Sequence, residues 1–286
     1  MALMIGGPGG GTDVRAAAGA KNDTKGEFST APARPLPTTR HRFDEELAQL
    51  EARLCAMGEA AAGMLEDAAR ALTHGDAALA QSVVDRDAHI DELDRAVEEG
   101  ALLLVARQQP VASDLRLLGA ALKITTDIER IGDHAVNIAR VALRLKAAGL
   151  DYAPLVDLPR MAQIAVGMVR TVTGSLADHD LAAARAVIRR DDELDVLYKE
   201  AQRELRAAMQ QAEGTGVGGA AAVPAPRCVL LASHLLFVAH YLERIGDHCT
   251  SIAERVEYQE TGRAPRTRAA VVASAGAGSA FEDDLA

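Results

Sequence analysis

Apolar residues recur at steps of three and four through most of the chain between residues 40 and 263. That spacing places them along one face of an α-helix. Residues 124–145 show it best, where Ile124, Ile128, Ile131, Ala135, Ile138, Ala142 and Leu145 make one seam. The breaks fall at helix-stopping residues. A first helix is predicted over 43–73, with Gly75 closing it in a left-handed cap. Asp76 caps a second helix that runs to residue 107. Pro110 suits the first turn of a third, reaching residue 148. After a linker at 149–159 come a fourth helix to residue 177 and a fifth capped by Asp180. A Gly/Ala/Pro loop at 214–226 precedes a sixth helix ending near residue 262. Residues 1–40 and 264–286 lack periodicity and are expected to be a disordered extension and a disordered tail.

The pattern repeats itself. Moving residues 64–91 forward by 104 positions brings Met64, Leu72, Asp76, Ala78, Ala80, Val83, Arg86, Asp87 and Asp91 onto identical residues. The hexapeptide ERIGDH occurs at 129–134 and again at 243–248, a spacing of 114. The ten additional residues are supplied by the loop at 214–226. Short connections make successive helices antiparallel neighbours. The prediction is therefore all-α: two pseudo-symmetric three-helix bundles over 41–150 and 151–263.

Composition agrees with helices. Apolar residues make up 49% of the chain, aromatics only 3%, and Trp is absent, whereas β-sandwich strands favour aromatic and β-branched residues. The formal charge of −10 makes the chain a poor binder of nucleic acid or anionic lipid. It suits cations or basic protein surfaces instead. Three scattered cysteines, Cys55, Cys228 and Cys249, without a CxxC fit reduced thiols in a cytosolic protein. No secretory signal is read at the N-terminus, and no membrane-crossing run is expected.

Candidate chemistry lies in the repeated acids. Glu129 and Asp133 share one face of their helix, roughly opposite the apolar seam at about 100° per residue. Glu243 and Asp247 hold the same place in the second repeat. On the preceding helices stand Asp87 and Asp91, then Asp191 and Asp195, with Asp94 and Glu98 extending the first stripe. Four carboxylates facing each other across a groove repel unless neutralised, and oxygen-ligated divalent cations do this. The competing reading is a solvated helix face with Arg130 and Arg244 as ordinary surface partners. Gly132 and Gly246 each cost about 1 kcal/mol inside a helix relative to Ala, which points to close helix approach or room for a ligand. His134 and His248 flank the seam as metal ligands or as structural histidines. His240 has Thr126 as its counterpart and reads as incidental. No phosphate-binding loop, HExxH, GxSxG or Glu-x-x-His pair is found, nor any nucleophile–base arrangement.

The chain resembles the PhoU family of phosphate-transport accessory proteins over residues 40–262. The segments RQQPVASDLRLLGAALKITTDIERIGDHAVNIA and YLERIGDHCTSIAERVEY carry the resemblance. It implies a cytoplasmic all-α protein that forms homodimers. It further implies a negative regulator of the phosphate regulon, an adapter between the phosphate ABC transporter ATPase and a phosphate-sensing histidine kinase. Such a protein touches the membrane only through its partners, binds no nucleic acid and is not an enzyme. Some members carry multinuclear metal clusters, and the family's acidic motif falls here on Asp87, Asp91, Glu129, Asp133, Asp191, Asp195, Glu243 and Asp247. Fe, Zn, Mn or Mg would each suit those residues. A metal-dependent bundle enzyme and a purely structural bundle remain the alternatives.

Overall fold

The computed structural model describes residues 39–215 and 225–263. The predicted extension, the tail and most of the loop at 214–226 lie outside the described residues. Among the described residues there are seven α-helices and no strand: α1 (Thr39–His74), α2 (Ala77–Asp85), α3 (Asp87–Gln108), α4 (Ser113–Ala147), α5 (Leu158–Ala177), α6 (Leu181–Thr215) and α7 (Ala225–Thr261).

The caps form where the sequence places them. Asp76 accepts a bond from the Leu79 amide at 3.0 Å, and Asp180 accepts from the Ala182 and Ala183 amides. Gly75 closes α1 at φ +65°. Pro110 differs from expectation. It sits in the turn before α4, between Gln109 (φ +48°) and Ala112 (φ +47°), so the helix starts three residues later.

The helix predicted to run to residue 107 is in fact two, α2 and α3, meeting at Arg86. There the Arg86 amide bonds back to Val83 O at 3.2 Å, a tighter turn than the α-helix. Its guanidinium reaches Asp67 on α1 at 2.6 Å. The equivalent Arg190 lies inside the unbroken α6. The repeat offset puts Thr171 where the first repeat has Asp67, so that carboxylate has no counterpart in the second repeat.

α1 packs on α4 and α5, and α4 packs on α7, which in turn lies against α5. These four helices form the centre. α2 and α3 lean on the α1–α4 side, and α6 leans on the α5–α7 side. The α4–α7 pair is antiparallel along its whole length. Asp127 meets His248, His134 meets Tyr241, and the Arg227 guanidinium donates to Gly149 O at the far end. α1 and α5 are also antiparallel and approach closely at Gly58, where a Cβ would stand 2.1 Å from Thr173 Cγ2. Buried side chains from both repeats join in one core, with Leu54, Met64, Ile128 and Ile131 from the first and Met168, Leu194, Leu235 and Ile245 from the second.

α7 departs from expectation in one respect: by length and composition alone it is apolar enough to cross a membrane. Its Leu231, Leu235, Val238, Leu242, Ile245 and Ile252 are buried inside the protein, while Leu230 and Phe237 on the same helix are exposed.

Candidate functional site

α3 and α4 cross at Gly132, where a Cβ would lie 3.4 Å from Ile90 Cγ2, an ordinary contact distance. Above it the first acidic groove opens. Asp87 and Asp91 project from α3, Glu129 and Asp133 from α4. All but Asp91 are half-buried. Desolvation pushes the Asp87 carboxyl above the usual range, and the charges of Asp133 and Asp91 push it further, against Arg140. Glu129 is raised the same way, first by desolvation and then by Asp133, with Arg130 opposing and Asp94 and Asp91 adding to it. The four acids predicted to converge thus feel one another, and Asp94 belongs with them. Asp94 also accepts a bond from Thr125 Oγ1 at 3.0 Å. Arg130 answers part of the charge, 2.9 Å from Asp133 and 3.3 Å from Glu129.

The second groove, between α6 and α7, follows the plan with changes. Glu243 is raised by desolvation, then by Asp247, with Arg244 opposing and Asp195 and Asp191 adding. Arg244 pairs with Asp247 at 2.8 Å, and Lys199 stands 4.0 Å from Asp195. Oε2 of Glu243 is buried without a hydrogen bond, with His240 Nδ1 3.6 Å away. Asp191 departs from the outward placement expected of these acids. It is 1% exposed and lies in the helix crossing, its Oδ1 2.5 Å from where a Cβ on Gly246 would be. His240, read as incidental, lies in this groove beside Tyr198, whose hydroxyl is 3.4 Å from its Nδ1.

The two histidines of the hexapeptide face the α4–α7 seam. His248 Nδ1 lies 2.9 Å from Asp127 Oδ1, across the repeats. His134 occupies the mirrored place, where Tyr241 replaces the aspartate. It stacks on that ring at 5.7 Å, and its Nδ1 has no hydrogen bond among the described residues. Burial first, then the neighbouring His248, Arg244, His240 and Arg130, lower its pKa to about 4. The pairing across repeats was invisible in the sequence. Its only trace is that Asp127 and Tyr241 sit at equivalent positions with unlike side chains.

Oxygen-rich, half-buried and mutually repelling groups have the donor chemistry of a hard-cation site. Their arrangement is not a preformed cage. Among the described residues, no three His, Cys, Asp or Glu side chains converge closely enough to hold one ion.

A duplicated helical fold with one acidic groove per repeat, both beside a shared antiparallel seam, defines the class: a tandem-repeat α-protein with paired acidic grooves. The family model described as the PhoU domain matches residues 54–142 and again 158–256. The chain belongs to the PhoU family. It is similar to a phosphate-specific transport system accessory protein PhoU homolog of Rhizobium meliloti, 35% identical over 78% of this chain and 89% of that one. A protein of the same name from Caulobacter vibrioides is 39% identical, over 77% and 90% of the two chains. The crystal structure of PhoU from Pseudomonas aeruginosa superposes with a TM-score of 0.70 at 34% identity, covering 77% of this chain and 100% of the other.

Proposed function

We propose that the chain is an accessory regulator of a phosphate-specific transport system. It docks on the transporter's ATPase and on the sensor histidine kinase of the phosphate regulon and restrains both when phosphate is plentiful. The observation that carries the reading is the family match in both repeats, together with an acidic surface suited to binding. The chain works at the cytoplasmic side as a homodimer, reaches the membrane through its partners, and performs no chemistry of its own. Partner choice shifts by differential affinity between its bound states.

A divalent or multinuclear metal, of identity open among Fe, Zn, Mn and Mg, fits the donor set of each groove. Asp87, Asp91, Glu129 and Asp133 would hold it in the first, and Asp191, Asp195, Glu243 and Asp247 in the second. Bound there it would neutralise the carboxylates and offer positive charge to an anion. Asp191 would have to leave the helix crossing to take part.

The test is a deletion of the gene in its own host, with phosphate uptake and a starvation-promoter reporter measured in rich phosphate. Both should be switched on, and the wild-type gene should restore them. Direct binding of the purified chain to the ATPase and to the kinase's cytoplasmic region completes it. Unchanged uptake and reporter in the deletion strain would overturn the reading.

A further inference from the structure

The second repeat bears a cluster of rings that the first does not. Phe237, Tyr241 and His134 stack in order along the α4–α7 seam, with centroids 6.5 and 5.7 Å apart. His240 stands 6.1 Å from Tyr241 and 6.1 Å from Tyr198, which extends the shelf toward α6. The chain has only four Phe and four Tyr, and three of those eight are here. The repeat offsets set Lys123, Thr126, Asp127 and Asp94 where the second repeat has Phe237, His240, Tyr241 and Tyr198. Shared folding needs therefore do not explain the rings. Phe237 is 55% exposed, so it is not there for the core. An exposed Phe beside two half-buried Tyr rings that pack on the core, in a chain otherwise poor in aromatics, has the composition of a binding hot spot.

The charge around the shelf is mixed but net negative, with five carboxylates in the flanking grooves against Arg130, Arg244 and Lys199, and His134 itself feels Arg130 and Arg244. The grooves with Glu129 and Asp133 on one side and Glu243, Asp195 and Asp247 on the other flank it. Their neighbouring cations are already engaged, Arg130 with Asp133, Arg244 with Asp247 and Lys199 beside Asp195.

We propose that this aromatic shelf is the docking surface for a cationic amphipathic helix of a partner protein. The helix lays its apolar stripe on Phe237 and Tyr241, and its Lys and Arg side chains reach the carboxylates on either side. An anionic bilayer fits less well, because the same carboxylates would repel it. The inference rests on the reading that the chain acts by binding proteins, and it adds which face is used and what chemistry it recognises.

The probe is a fluorescein-labelled helical peptide of about 18 residues, five turns, built from Leu and Lys in amphipathic register. Its anisotropy is followed with full-length protein. Two further peptides carry Glu in place of Lys, or Lys and Ser without Leu. The Leu/Lys peptide should bind, more weakly as salt rises, and the other two should not. Phe237→Ser should weaken it about tenfold, as loss of one aromatic anchor does, and Glu243→Gln should reduce its salt dependence. Lys123→Ser, the same change at the equivalent site, should leave it unchanged. Equal binding by Phe237→Ser, equal binding of the Leu-free peptide, or Phe237-dependent binding to phosphatidylserine vesicles would each overturn the proposal. The synthetic peptide keeps this result separate from the transporter and kinase assays, so either can fail alone.

Discussion

Gly246 on α7 and Asp191 on α6 occupy one space: a Cβ on the glycine would stand 2.5 Å from the carboxylate oxygen and 2.8 Å from Leu194 Cδ2. In the first repeat Gly132 leaves Ile90 at an ordinary contact distance of 3.4 Å. The same residue in the same hexapeptide is therefore under different constraint. Gly246→Ala forces a buried carboxylate aside and should cost about 1–2 kcal/mol, overpacking less the helix-propensity gain. Gly132→Ala should be neutral or stabilising by up to about 1 kcal/mol. Urea denaturation followed by circular dichroism checks the pair, and equal effects would refute the asymmetry.

α1 and α5 offer a sharper contrast. At Gly58 the obstacle is Thr173, with Cγ2 at 2.1 Å and Cβ at 2.9 Å from where a Cβ would lie. A β-branched side chain within a helix has few rotamers to escape into. Gly58→Ala should destabilise by about 2–3 kcal/mol. Gly63 and Gly167 have nothing within 4 Å of the place a Cβ would take, and replacing both by Ala should raise stability by about 0.5–1 kcal/mol each. Midpoints of chemical unfolding for the three variants decide this.

The acids should be a burden on the fold. Glu129 and Glu243 both have raised pKa values, chiefly from desolvation and then from Asp133 or Asp247. A carboxylate raised in the folded state favours folding when protonated, and that advantage is lost as pH rises through its folded pKa. Glu129→Gln with Glu243→Gln should therefore raise stability at neutral pH by about 0.5 kcal/mol per site given their partial exposure, read as a higher melting temperature. The gain should fade as pH falls toward the ordinary carboxylate range. Millimolar Mn²⁺ or Mg²⁺ should stabilise the wild type and not the double variant.

His134 carries the opposite sign. Its pKa falls from 6.5 to about 4 on folding, so the unfolded chain takes up a proton that the folded chain refuses. Its contribution is present above 6.5 and lost as pH drops through that window. His134→Phe keeps a ring against Tyr241 and should flatten the fall in melting temperature between pH 6.5 and about 4. A variant that tracks the wild type across the window would count against the assignment.

Periodicity made the helices legible, because burial at every third or fourth residue is written along the chain. The repeat made the pairing of acids legible, since Asp87, Glu129 and their mates could be aligned without a structure. The break at Arg86 was not, because it depends on Asp67 on another helix and on Thr171 in its place in the second repeat. Nor was the burial of Asp191, which is set by the approach of α6 at Gly246. Contacts across the α4–α7 seam depend on how two repeats meet, and no spacing within either repeat encodes that. Pro110 misled because the left-handed residues on either side of it, Gln109 and Ala112, carry no glycine to mark them.

The antiparallel meeting of α4 and α7 has a consequence for divergence. In a symmetric pair of identical half-length chains, every substitution at the seam would appear twice, and Asp127 could not face a histidine while its mate became Tyr241. Joining the halves in one polypeptide lifts that restriction. One copy can keep a lysine where the other acquires a phenylalanine, and a single hydrogen-bonded pair can serve beside a stacked one. A fold assembled from two like parts is thereby free to divide its labour between them.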